Sequence, residues 1–168
     1  MSATAFQYAQ MAFTLAVAFL SGLSACFTLW VIPILTLPCV PAEAKAAGLV
    51  HLYTLGGMYL QPSSRILGAS AVALTAWSYA ADNGGWAYEL LCFGLLIPIA
   101  VWEVYMIFPI NDRVAELDKK MQGGGGGALS KAEVAELTDL LNEWSTMHTV
   151  RWVLPGVAAV VSALALVR

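Results

Sequence analysis

The chain has 168 residues, 60% of them hydrophobic and only 11% charged, with a formal net charge of −3 and a mean hydropathy of +0.73. So apolar a composition excludes an ordinary soluble domain, and the slightly acidic balance excludes a basic nucleic-acid surface. Three cysteines, Cys26, Cys39 and Cys92, give neither a disulfide frame nor a CxxC metal site and read as small buried hydrophobes.

An all-α integral membrane protein is expected. No charged residue occurs between Met1 and Ala42, Ile66 and Ala81, Leu90 and Trp102, or Trp152 and Val167. Each gap anchors a span of about 20 residues. These predict helices at Gln10–Ile34, Ser64–Ala81, Ala87–Phe108 and Ser145–Val167, forming a single four-span domain over residues 1–168. The first span has no basic leader and is followed by Pro33, Pro38 and Pro41, so it is expected to stay as a membrane helix rather than be cleaved as a signal.

Between the first and second spans, Pro41 and Glu43 start a short interfacial helix that runs toward His51 and Tyr53 and is ended by Gly56-Gly57. Pro62 falls in the first turn of the second span, and Asp82-Asn-Gly-Gly85 makes a tight turn before the third. Pro98 should kink the third span. The run Gly123 to Gly127 is a flexible break, either low complexity or a lax loop. Beyond it, Ser130-Lys-Ala-Glu133 has the spacing of a capping box. From there Leu137, Leu140, Leu141, Trp144, His148 and Arg151 recur at spacings of three and four, placing them on one face. A helix from Lys131 to Val167, bent at Pro155, would be roughly 55 Å long, so the fourth span carries a long cytosolic extension. The first and third connections hold Lys45, Arg65, Arg113, Lys119, Lys120 and Lys131, which puts them in the cytosol and both termini outside or in the lumen.

Polar residues within spans mark chemistry or a pathway. Glu103 should lie about 7 Å inside the cytosolic boundary of the third helix and needs a partner, for which Arg151 and His148 are the candidates. Asn111, Asp112 and Arg113 are expected to cap the same helix end, and Trp102, Tyr105, Trp144 and Met147 to wall a pocket over the cluster. Plainer readings stand beside these: His148 bonding a neighbouring helix, Arg151 snorkelling, Asn111 ending a helix, Asp112 acting only as a cap.

The blocks Ile107-Phe-Pro-Ile-Asn111-Asp112-Arg113 and Leu140-Leu-Asn-Glu-Trp144-Ser-Thr-Met-His148-Thr-Val-Arg151 resemble the signature of the small four-helix membrane proteins that include the fungal anthrone oxygenases. The resemblance implies oxidation of an anthrone, a tricyclic phenolic polyketide, to an anthraquinone by molecular oxygen, with no metal or flavin. It implies His148 as the base, since an imidazole titrates near neutrality and the anthrone methylene is acidic. Arg151 and Asn111 would stabilise the enolate oxygen, with Asp112 beside them. Trp144, Glu103, Arg113, Tyr105, Trp102 and Met147 would hold the substrate. The partners implied are an aromatic polyketide and membrane lipid, in the endoplasmic reticulum or a related membrane, with self-association left open. Two alternatives come from other classes: a haem- or metal-binding bundle using His51 and His148, and a membrane adaptor without chemistry.

Overall fold

In lipid every backbone N–H and C=O must be satisfied within the chain, and this sequence does so with helices. The computed structural model describes residues 3–81, 85–122 and 128–167, and these are all-α. Helix α1 (Ala3–Cys26) passes through a π-helical turn (Phe27–Val31) into the short α2 (Ile32–Leu35). After a proline-rich loop comes α3 (Ala42–Ala80). Helix α4 (Trp86–Trp102) runs through a second π-helical turn (Glu103–Ile107) into α5 (Phe108–Gln122). Helix α6 (Lys131–His148) is separated from α7 (Val150–Leu166) by Thr149 alone.

Three helical stretches, Thr4–Leu35, Trp86–Gln122 and Lys131–Leu166, are long and apolar enough to cross a membrane; α3 is not among them. Helix α1 packs on α7 and α3, and α4 packs on the same two, so four columns close into a ring. Beyond the ring, α5 and α6 pack on each other and on α3.

Two expectations are overturned by α3. It does not stop at Gly56-Gly57, and Pro62 lies inside it rather than in a first turn, so the interfacial helix and the second span are one 39-residue helix. Breaking the helix would expose further backbone groups, and two hydroxyls just past the proline bond carbonyls of the turn before it. Ser63 Oγ donates to the Tyr59 carbonyl and Ser64 Oγ to that of Leu60, both at 2.8 Å. The first half of α3 is also held by packing: Ala46 and Leu49 are fully buried against Val114, Leu137 and Leu141. A third correction concerns Asn111-Asp112-Arg113, which do not end a helix but lie in the first turns of α5.

Other expectations hold. Ser130 caps α6 in a full capping box with Glu133. Leu137, Leu141, Trp144 and His148 are buried along one face, as the spacing predicts. The turn expected at Asp82–Gly85 falls largely outside the described residues, as does the Gly123–Gly127 run.

Two cores follow. One gathers Phe13, Val17, Ala71, Leu74, Cys92, Ala158 and Ala159 within the ring. The other gathers Ile32, Leu49, Ile107, Val114, Leu137, Leu141 and Trp144 among α2, α3, α5 and α6.

Candidate functional site

Three helix irregularities meet between these cores. Each π-helical turn carries one extra residue, with Ile32 N–H bonded to the Phe27 carbonyl and Phe108 N–H to that of Glu103. Both turns end two residues before a proline, Pro33 or Pro109, whose ring crowds the carbonyl four residues back. Widening the helix just upstream relieves that crowding, and π-bulges of this kind are common at functional sites. The third irregularity is Thr149, where the N–H reaches back only to Thr146. Its hydroxyl takes up the Ser145 carbonyl at 3.2 Å, and Trp102 Nε1 donates to the Met147 carbonyl at 2.9 Å.

The irregular turns place the polar side chains. Glu103 opens the second π-helical turn and pairs with Arg151, Oε1 to Nη2 at 2.5 Å, the partner expected from sequence. Both side chains are largely shielded, so each meets the other's need for a counter-charge where water is scarce. One helical turn before Arg151, His148 is fully buried. Its ring stacks on Trp144 with centroids 4.3 Å apart, and Nδ1 lies 3.1 Å from Thr28 Oγ1 of the first π-helical turn. His148 Nε2 and Trp152 Nε1 are buried with no hydrogen-bond partner among the described residues. Buried polar atoms are normally bonded, so these two call for a partner or a role.

Alongside lies a cavity of about 480 Å³, within the range of small-molecule sites. Its walls are mostly apolar, including Val17, Leu20, Phe93 and Leu96. Its charged lining is Glu103, Arg151 and Arg65, with Gln61, Ser24 and Ser64 as neutral polar groups. Ile97, Val104 and Phe108 on one side and Ser64, Arg65 and Ala69 of α3 on the other are exposed while lining it, so the cavity opens sideways between these columns.

Of the residues expected at the site, Glu103 and Arg151 line the cavity, and His148 stands one turn away without lining it. The pocket expected beneath Trp102, Tyr105, Trp144 and Met147 is not formed by them. Trp102 is tied to Met147, Trp144 is buried against His148, and Tyr105 faces outward, 73% exposed. Asn111 Oδ1 accepts from Trp144 Nε1 at 2.9 Å and so holds the indole that stacks on His148. Asp112 is exposed. Arg113 lies outside the cavity, clamping Glu136 of α6 in a two-pronged pair and bonding Glu116 on its own helix.

Sequence reading missed Arg65, Gln61 and Ser64. Their i, i+3 and i, i+4 spacing on an otherwise apolar stretch was the available signal. It missed Thr28 as well, for which the matching proline offsets were the clue. His51 is exposed whereas His148 is buried, so the two imidazoles are not a facing pair. Among the described residues no three His, Cys, Asp or Glu side chains gather as a metal site requires.

No curated protein and no solved structure matches the chain. A family model described as anthrone oxygenase matches residues 49–161, more than half of the chain, taking in Arg65, Glu103, His148 and Arg151, and the chain belongs to the anthrone oxygenase family.

Proposed function

We propose that the protein oxidises an anthrone-type aromatic polyketide to an anthraquinone with molecular oxygen, without a metal or organic cofactor. The observation that carries this is the cavity: apolar walls of the right volume, a sideways opening, and charged groups gathered at the irregular turns. A flat, poorly soluble substrate would enter from the bilayer rather than from water.

His148 is assigned the removal of one proton from the central methylene through Nε2, which has no partner among the described residues; this requires the substrate to extend from the cavity toward the ring one turn away. Thr28 and Trp144 fix the ring, and Asn111 positions Trp144. The Arg151 guanidinium, with Glu103 as its counter-charge, stabilises the oxyanion of the conjugate base. That electron-rich anion gives one electron to oxygen, and the two radicals join as a peroxide. Loss of the second methylene hydrogen with cleavage of the O–O bond leaves the carbonyl and one water, so CH2 plus O2 becomes C=O plus H2O. Asp112 and Arg113 stay outside this chemistry, and Arg113 acts by joining α5 to α6.

A second reading takes Glu103 as the base, because it lines the cavity and His148 does not. Oxygen uptake by the purified protein with emodin anthrone, measured against spontaneous oxidation, separates the two. With His148 as base, His148→Ala loses about 10²–10⁴ in rate and Glu103→Gln loses less. Full retention in His148→Ala with collapse in Glu103→Gln would transfer the role to Glu103. No acceleration by the wild type across several anthrones would sink the oxygenase reading itself.

For its setting, four crossings are proposed, with α3 from Ser64 onward packed in the ring beside α1 and α4. The basic loops face the cytosol from an internal membrane such as the endoplasmic reticulum.

A further inference from the structure

The charges lining the cavity do not cancel. Two guanidinium groups and one carboxylate face it, and Arg151 and Glu103 neutralise each other. Arg65 remains, close enough for its charge to act on Glu103 but without a hydrogen bond or ion pair among the described residues. Snorkelling toward water accounts for an exposed arginine on a membrane helix. It does not account for Gln61 one turn earlier on the same face, whose amide is also unbonded among the described residues and also lines the cavity. The Ser64 hydroxyl between them is already donated to the Leu60 carbonyl. The free donors on this wall are therefore the Arg65 fork and the Gln61 amide.

A planar guanidinium beside an amide matches a carboxylate, which accepts two parallel hydrogen bonds and carries the single negative charge that the cavity is short of. Position agrees with this. Arg65 sits at the exposed rim, where a permanent anion keeps part of its hydration, whereas the shielded Arg151 suits a charge that develops only during reaction.

We infer that Arg65, with Gln61, is a specificity-determining site for an acidic substituent, a carboxylate carried on the aromatic ring system of the substrate. The inference rests on the oxygenase reading and narrows its substrate to carboxylated anthrones.

The test uses the full chain in detergent, with anthraquinone-2-carboxylate and unsubstituted anthraquinone as unreactive probes. Binding is read from quenching of tryptophan fluorescence, and oxygen uptake is measured with matched anthrones with and without the carboxylate. The wild type should bind the carboxylate more tightly. Arg65→Gln should weaken it by about tenfold or more, as loss of a charge-assisted pair implies, and leave the neutral probe within about twofold. Arg65→Lys, which keeps the charge and loses the fork, should fall between, and Gln61→Leu should repeat the loss more weakly. Equal losses for both probes would make Arg65 merely structural and overturn the inference. Turnover of the neutral anthrone with no gain from the carboxylate would overturn it while leaving the oxygenase reading intact. Carboxylate binding through Arg65 without turnover of either anthrone would do the reverse, and binding of neither probe would overturn both.

Discussion

In the core around Ala71, Cys92, Ala158 and Ala159, small side chains and polar bonds join Phe13, Val17 and Leu74 at the helix contacts, whereas around Leu49, Val114, Leu137 and Leu141 the contacts are mostly large aliphatic side chains. In the first region the outward-facing residues are Leu15, Phe19, Val101 and Leu164; in the second they include Glu116, Lys119, Lys120 and Glu143. Lipid tails are as apolar as leucine, so burying leucine from lipid gains little and close packing must do the work. Gly156 shows how close: a Cβ there would meet Ser21 Oγ at 3.1 Å, and that hydroxyl bonds the Trp152 carbonyl at 2.7 Å. Cys92 reaches the Ala158 carbonyl, and Gln10 bonds the buried Glu89. The second region instead gains the hydrophobic effect of removing leucine from water, with ion pairs around its edge. The cavity, the π-helical turns and the Glu103–Arg151 pair lie where one kind of packing gives way to the other. A cavity with a few charged groups in its apolar walls is tolerated there because neither region closes over it.

Truncating one leucine in each region should separate the two kinds of packing most strongly. Leu141→Ala removes a fully buried side chain from the second core and should cost about 3 kcal/mol, the transfer of its methyl groups from water plus the cavity left behind. Leu74→Ala in the first core should, with the four crossings proposed above, cost about half of that, because its unfolded reference would remain in lipid and only packing would be lost. Denaturant unfolding in mixed micelles measures both, and equal losses would erase the distinction.

A hydroxyl pair should matter less. Thr14 Oγ1 donates to the Gln10 carbonyl, so in its 2.7 Å contact with Ser162 Oγ the serine is the donor. Thr14→Val keeps the shape and removes the acceptor, and should cost about 0.6 kcal/mol in the same assay, since a serine in a helix can turn back to its own backbone. A loss above about 2 kcal/mol would mean that polar bonds, rather than small-residue packing, hold the ring together.

Much of this architecture was legible in the sequence because it is set by local pattern. The apolar gaps gave three of the long columns, Ser130 and Glu133 gave the start of α6, and the spacing of Leu137, Leu141, Trp144 and His148 gave its buried face. Glu103 and Arg151 could be matched because a charge inside a span needs a counter-charge. What escaped depends on neighbours. Gly56-Gly57 and Pro62 read as breakers, yet burial of Ala46 and Leu49 before them and of Leu60 and Ala71 around and after them carries α3 through. Trp144 read as a pocket wall and Asn111 as a helix end or an enolate contact, because spacing shows which residues share a face but not what that face meets; they meet each other. Arg65 read only as a basic residue of the first connection and Gln61 drew no reading, since only the ring of helices turns their side of α3 toward Glu103.

The smallest effect, and the one confined to the second region, follows from its surface charges. Lys120 Nζ bonds Glu133 Oε1 at 2.6 Å and Ser130 adds backbone and hydroxyl bonds, which together hold the Glu133 carboxyl down to about 2 from an ordinary 4.5. The hydrogen bond from Arg113 lowers Glu136 as well. A carboxylate with a depressed folded pKa contributes its full stabilisation above 4.5 and loses it as pH falls through about 2. The thermal midpoint in nonionic micelles should therefore hold above pH 4.5 and decline between there and pH 2. Glu133→Gln should start slightly lower and decline less, the remainder coming from Glu136. Because these pairs are exposed to solvent, 1 M salt, with a Debye length of about 3 Å, should flatten the wild-type decline toward that of the variant. An identical decline in both proteins would place the acid sensitivity outside the α5–α6 contact, and so outside the region whose stability depends on charge at its surface.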